Sequence, residues 1–364
     1  FSKATLMDVK LKKLSIEQFV SALSLEELAE LVNGHSGDAT VRGVAGSTWR
    51  NDTKGITPVN LSDGPAGLRI TQHYKQDDTD YYQYATAWPI GTLLAQTWDT
   101  DQIYAYGEGV GEEMEEFGIG CWLAPGMNIH RNALCGRNFE YYSEDPVVVG
   151  ITGTAATLGV QSNKGVGVTI KHYALNSQET NRNSENNTVS ERAIREIYLK
   201  GFEAVVKQAQ PMAIMTSYNQ NNGRPAADDY DLCTAFARDE WGFQGFVLTD
   251  YFGVYGYMNS DQGIRNGTDA MLVAYDTETN HVKDQNSATG VEAMRQACKN
   301  IMYTVVNSRA YDAENLETGL MTWQIAAIAA DVVLGVGILA LEIVAIKRFR
   351  KRLAEEKAAV AVEN

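Results

Sequence analysis

The chain is poor in the residues that build metal sites and disulfide frameworks. Its four cysteines, Cys121, Cys135, Cys233 and Cys298, lie far apart and form no C-x-x-C pair. That spacing speaks against a zinc site, and a chain of 364 residues needs no disulfide scaffold. The five histidines make neither an H-x-H nor an H-E-x-x-H pair, so no metal or other cofactor is expected. Positive charge is scarce as well. The formal net charge is -15, yet five basic residues crowd into Lys347 to Arg352, and setting them aside takes the remainder from -15 to -20. A surface that acidic repels nucleic acid, and no arginine-rich groove interleaved with aromatics is present. Nucleic acid is not an expected partner. The chain opens at Phe1 with neither an initiator Met nor a signal peptide, and it reads as a fragment or processed piece of a longer protein.

What is there suits a globular domain: 44% hydrophobic and 21% charged residues. The length accommodates an α/β barrel of roughly 250 residues with extras. The segment "IEQFVSALSLEELAELVNG", from Ile16, carries apolar residues at helical spacing and stops at Gly34. "GVAGSTWRNDTKG" follows and reads as loop. From about residue 56, short apolar runs alternate with amphipathic helical stretches. The runs are "TPVNLSD", "TAWPIG", "IGCWLAPG", "VGVTIKHY", "PMAIMTSYN", "GFVLTDY" and "DAMLVAY". The helical stretches include "TDQIYAYGEGVGEEMEEFG", "SERAIREIYLKGFEAVVKQA" and "YDLCTAFARDEWG". Such alternation predicts a parallel sheet, and seven or eight units favour a closed barrel over an open doubly wound sheet. The expected class is α/β, a TIM-like (β/α)8 barrel with room for an incomplete or irregular strand.

Polar residues end these runs: Asp63, Lys171 with His172, Tyr218 and Asp250. In a parallel barrel those ends share one face, where strand-to-helix loops build active sites. Asp250, emerging from a buried strand, can serve as nucleophile, base, metal ligand or loop cap. Lys171 and His172 beside an aspartate would keep it ionised, as attack on an anomeric carbon requires; as a solvated strand end the pair would mean nothing. Asp63 either sets its Gly- and Pro-rich turn or accepts two sugar hydroxyls. Arg137 and Arg182 offer fork-shaped donors.

Past the last helical stretch the character changes. Gln324 to Ile346 reads "QIAAIAADVVLGVGILALEIVAI", with Trp323 before it and "KRFRKR" after it. Length, border Trp and basic flank match a membrane span under the positive-inside rule. Asp331 and Glu342 count against it, since an acid at the bilayer centre costs about 3 kcal/mol on insertion scales. The alternative is an amphipathic or partner-packing helix. As a span it predicts a single-pass protein of the cell membrane, its barrel extracytoplasmic and its basic tail cytoplasmic.

The run of "LSDGPAGLR", "LAPGMNIHRNALCGRNFEYYSEDP", "VTIKHYALNSQETNR", "VSERAIREIYLKGFE", "MTSYNQNNGRPA" and "EWGFQGFVLTDYFG" resembles the barrel domain of glycoside hydrolase family 3 β-glucosidases over roughly residues 20 to 310. The resemblance implies an exo-acting retaining β-glucosidase that removes terminal β-linked glucose from oligosaccharides or glucosides, with Asp250 as the glycosylated nucleophile. It implies Asp63, Arg69, Arg137, Lys171, His172, Arg182, Tyr218 and Tyr251 as the first sugar subsite; Tyr251 stands where many members carry Trp. "KHYALNSQETNR" lacks the His-Asp pair of the β-N-acetylglucosaminidase branch. Asp63, where xylosidase-like members tend to place Glu, leaves room for the C6 hydroxymethyl of glucose.

A retaining mechanism needs a second carboxyl as acid/base. In the family it comes from an α/β sandwich domain, expected here upstream, as in relatives with permuted domain order. Glu140, Glu144, Glu179 and Glu185 are local candidates that read as loop or cap carboxylates. The expected organisation is a linker remnant at 1–19, the barrel at 20–312, a transmembrane helix at 323–346 and a basic tail at 347–364. The alternatives are a β-xylosidase or exo-glucanase of the same family, or a non-catalytic, membrane-tethered carbohydrate-binding fragment.

Overall fold

The computed structural model describes residues 3–34, 37–253, 256–274, 281–312 and 322–362. It divides into two compact units, Phe1–Asn315 and Leu316–Asn364.

In the first unit seven strands form one sheet in sequence order: β1 (Gly46–Ser47), β2 (Asn60–Ser62), β3 (Cys121–Trp122), β4 (Gly167–Tyr173), β5 (Ala213–Thr216), β6 (Phe246–Gly253) and β7 (Ala270–Ala274). β1 pairs with β2 antiparallel, and every later pairing is parallel. Sequential order with helical crossovers is the barrel pattern. Among the described residues no pairing joins β7 back to β1, so this TIM-like barrel is nearly closed with one unsealed seam. The strands turn Val168, Ile170, Ile214 and Val247 into a fully buried core.

Two local expectations are corrected. "TAWPIG" forms no strand. The Thr86 amide donates to Glu113 Oε1 (2.6 Å) and the Trp88 indole to Glu113 Oε2 (3.2 Å), while the Trp88 amide reaches Ala66 O (2.9 Å). These donors tie the segment to a helix and a loop instead of a sheet ladder. Conversely, "GVAGSTWRNDTKG", read as loop, contains β1, whose two residues are too few to show a period. The amphipathic segment from Ile16 is two helices, Ile16–Ser21 and α1 (Leu25–Asn33). Ser24 and Glu27 exchange bonds as a capping box that starts the second, and Gly34, at φ +64°, ends it.

Outside the sheet, α2 (Thr100–Phe117) packs on α3 (Pro146–Gln161), which also touches α4 (Lys200–Ala209). Glycines let α2 and α3 approach: a Cβ built on Gly159 would lie 2.1 Å from Tyr104 O, and one on Gly107 2.4 Å from Ala156 O. Both obstacles are backbone and cannot swing away. A last helix, α5 (Ala288–Asn307), packs against α1. The second unit contains α6 (Thr322–Val362), in which the 26 residues Ala327–Arg352, with an 18-residue window of mean hydropathy 2.3, are long and apolar enough to cross a membrane.

The helix crossing gives a stability test. Alanine in place of helical glycine is worth about 1 kcal/mol, whereas forced overpacking costs about 1–3 kcal/mol or more. With backbone atoms in the way the clash wins. Gly159→Ala is expected to lower the urea midpoint of the first unit without changing the slope; an unchanged or higher midpoint would show that the crossing yields freely.

Candidate active site

A cleft of about 690 Å³ opens at the carboxyl ends of the strands. It brings together the expected nucleophile and first-subsite residues: Asp63, Arg69, Arg137, Lys171, His172, Arg182, Tyr218, Asp250 and Tyr251. Two irregularities in the sheet bracket them. β4 shifts register against β5 between Ile170 and Tyr173, and β6 against β7 between Leu248 and Tyr251. Such irregularities re-aim side chains at strand ends; Lys171 with His172 lies inside the first and Asp250 inside the second.

Charges within the cleft are matched one to another. Lys171, 3% exposed, places Nζ 2.6 Å from Asp63 Oδ1, and Arg69 reaches the other oxygen at 3.0 Å. Burial would raise the Asp63 carboxyl, but Lys171 and then Arg69 outweigh it and hold it down at about 2. Asp250 Oδ1 accepts the Tyr251 amide at 2.7 Å, and Oδ2 lies 3.7 Å from His172 Nε2. Burial moves the Asp250 carboxyl above the ordinary aspartate value, while Lys171 and Arg137 pull the other way. His172, 1% exposed, is held well below the usual histidine range by burial and then by Arg137, Lys171 and Arg182, so it is neutral.

Further out, Glu179 joins the two remaining cations. Its Oε2 accepts from Arg182 at 2.8 Å, and its Oε1 lies 4.0 Å from Arg137, which also donates to the buried Glu140. Arg182 stacks over the Tyr218 ring at 4.9 Å, and the Tyr218 hydroxyl donates to Tyr251 O at 2.8 Å. Of the other local glutamates, Glu185 lies 3.7 Å from Arg131, and neither it nor the exposed Glu144 lines the cleft. Sequence reasoning missed Tyr141 and Asn128, which bond to His172, and Asn176, which bonds to Tyr141. Tyr141 lay within the quoted "FEYYSEDP", but nothing in spacing aims it at a histidine thirty-one residues on. Among the described residues no three His, Cys, Asp or Glu side chains are grouped as a metal site.

Residues 6–302 match the glycosyl hydrolase family 3 N-terminal domain. The chain belongs to glycosyl hydrolase family 3. Among curated members it is 41% identical over 280 residues to β-glucosidase A of Butyrivibrio fibrisolvens, covering 75% of this chain and 32% of that protein. It is 43% identical over 235 residues to an exo-α-(1→6)-L-arabinopyranosidase of Bifidobacterium longum, covering 64% and 30%. Among family 3 structures, that of β-glucosidase 3B from Thermotoga neapolitana in complex with glucose superposes with a TM-score of 0.74 at 35% identity, covering 87% of this chain and 46% of that one. The chain thus spans about a third of the length of these curated relatives.

The Lys171–Asp63 pair sets a pH dependence. A carboxyl depressed from 3.8 to about 2 on folding adds stability that is present above 3.8 and is lost as pH falls through about 2. Removing one partner of a buried pair costs about 3–5 kcal/mol. Lys171→Met is therefore expected to unfold at markedly lower urea at pH 7, and the gap to the parent chain should narrow as pH falls below 3.8. A gap independent of pH would assign the loss to packing instead of charge.

Proposed function

We propose that this chain is the barrel of an exo-acting, retaining β-glucosidase in which Asp250 is the nucleophile. The observation that carries the reading is the setting of Asp250: a carboxylate at a strand end, in a cleft whose other lining carboxylates, Asp63 and Glu140, already face cations. One Asp250 oxygen attacks the anomeric carbon as the bond to the leaving oxygen breaks, giving a glycosyl ester that water then hydrolyses. Asp63, Arg69, Lys171, His172, Arg137 and Arg182 bind the hydroxyls of the first sugar, with Tyr218 and Tyr251 as its aromatic wall. The short Asp63 side chain leaves space for a hydroxymethyl group and favours glucose.

The acid that protonates the leaving group comes from a further domain of the protein. Two relations support this: the match covers only 32% and 30% of the two relatives' own length, and Glu140 and Glu179 are each engaged by an arginine. The helix Ala327–Arg352, with its basic end, anchors the protein in a membrane. A second reading, an exo-acting glycosidase for a pentopyranose, is favoured by the 43% identity to an arabinopyranosidase.

The test uses 2-deoxy-2-fluoro glycosides bearing dinitrophenolate, a leaving group that departs without a proton. The full chain in detergent should gain one fluoroglucosyl mass on the Asp250 peptide, and Asp250→Asn should gain none. Because burial raises the Asp250 carboxyl, labelling should fall on the acid side at a pH above the ordinary 3.8. Faster labelling by the arabinosyl reagent would establish the second reading, and folded protein that takes neither label would overturn the nucleophile assignment.

A further inference from the structure

His172 is buried against Asp250, and the side of its ring away from the aspartate is occupied by Tyr141, itself 0% exposed. The Tyr141 hydroxyl lies 3.1 Å from His172 Nδ1. Which of these two atoms carries the hydrogen is decided one step further out. Asn176 Nδ2 donates both to the Tyr141 oxygen (3.1 Å) and to Glu179 Oε1 (3.1 Å). Turning that amide over would press its oxygen against the Glu179 carboxylate, so the amide nitrogen faces Tyr141. The Tyr141 oxygen is then an acceptor from Asn176, and its own hydrogen points to Nδ1. The competing arrangement, Nδ1–H donating to Asn128 Oδ1, is longer at 3.3 Å, and that oxygen already accepts the His172 amide at 2.9 Å.

We infer that Tyr141 is a positioning residue that fixes His172 in the Nε2–H tautomer, so that a neutral imidazole turns its hydrogen, not its lone pair, toward Asp250. The polarity runs in one direction along the chain: Asn176 donates to Tyr141, Tyr141 to Nδ1, and Nε2–H faces Asp250 Oδ2 at 3.7 Å. The hydrogen bond made at one ring nitrogen sets the tautomer at the other. The opposite tautomer would set a lone pair against an ionised carboxylate. Glu179 begins this chain and, held by Arg182 at 2.8 Å, keeps its own orientation. The catalytic consequence rests on the nucleophile reading of Asp250; the tautomer itself does not.

The experiment reads the tautomer directly in the full chain, labelled with ¹⁵N-histidine and held in detergent micelles. There are five histidines, and the spectrum of His172→Gln identifies the signals of His172. The parent chain should show a bare Nδ1 and a protonated Nε2, unchanged between about pH 5 and 8, the span over which an unperturbed imidazole titrates. Tyr141→Phe keeps the ring and removes the donor, and Nδ1–H signal should grow in. Asn176→Asp keeps the volume and reverses the polarity: its carboxylate takes the Tyr141 hydrogen, and Nδ1–H should grow in here too. Fluoroglucosyl labelling of Asp250 should slow on the order of tenfold in both, the scale of losing an outer hydrogen-bond partner. A protonated Nδ1 in the parent chain, or the parent tautomer persisting in both folded variants, would overturn the inference. Absence of labelling with the tautomer as described would overturn the nucleophile reading and leave the positioning role standing.

Discussion

The cleft depends on the Lys171–Asp63 pair. A lysine 3% exposed at the end of β4 is tolerable only with a carboxylate against it. Asp63 supplies that carboxylate from the loop after β2, at 2.6 Å, across a sequence separation of 108 residues. The pair therefore fixes two strand ends relative to each other and leaves the second Asp63 oxygen to Arg69. The same rule extends across the cleft: Arg137 faces Glu140, and Arg182 faces Glu179. Each charge is kept in place by another, so the cleft is shaped before any ligand enters it.

What the sequence made legible follows from this arrangement. A parallel barrel gathers strand ends on one face whatever the connecting loops do. A polar residue that closes an apolar run, as Asp63, Lys171 and Asp250 do, is thereby assigned to that face by pattern alone. The alternation of runs and helices survived translation into structure because each strand from β2 to β7 follows its predecessor in space. Arg69, Arg137 and Arg182 were not legible in that way. They lie in loops without a period: Arg137 and Arg182 stood out only as fork-shaped donors in polar surroundings, and Arg69 only through the family resemblance.

The misreadings have physical causes as well. A two-residue strand such as β1 has no measurable alternation, and its existence depends on Asn60 and Leu61 lying opposite. Thr86 to Ile90 carries the composition of a strand, but its donors found Glu113 first. α3 escaped notice because it is Gly-, Thr- and Val-rich and has no polar stripe. Set between α2 and α4, it buries Val149, Thr152, Ala156 and Val160, while the stripe it exposes, Val147, Ile151 and Leu158, is apolar as well, and a helix apolar all round shows no amphipathic period. The contacts around His172 are a different kind of omission. Asn128 and Tyr141 come from the long connection between β3 and α3, and Asn176 from the loop after β4; their meaning lies in direction of donation, which no residue spacing encodes.

Charge matching also bears on the proposed reading, in which Asp250 is the nucleophile and the acid comes from a further domain. A general acid must stay protonated near neutral pH, which burial away from cations can arrange. Among the described residues, burial does push carboxyls upward: Asp228 and Asp269 to about 6, with Asp229 and Glu185 raised as well. None of these lines the cleft; Asp250, which does, is raised by burial against the pull of Lys171 and Arg137. Those that do are Asp63, held near 2, Glu140, donated to by Arg137, and Asp250 itself. Glu179, just outside, is bonded by Arg182 and Asn176. Asp250 apart, the carboxylates that line or border the cleft are thus engaged by cations. A nucleophile is compatible with that environment because it works ionised; an acid is not. The proposed division of labour, in which this barrel holds the sugar and another domain protonates the leaving group, would thus have an electrostatic reason.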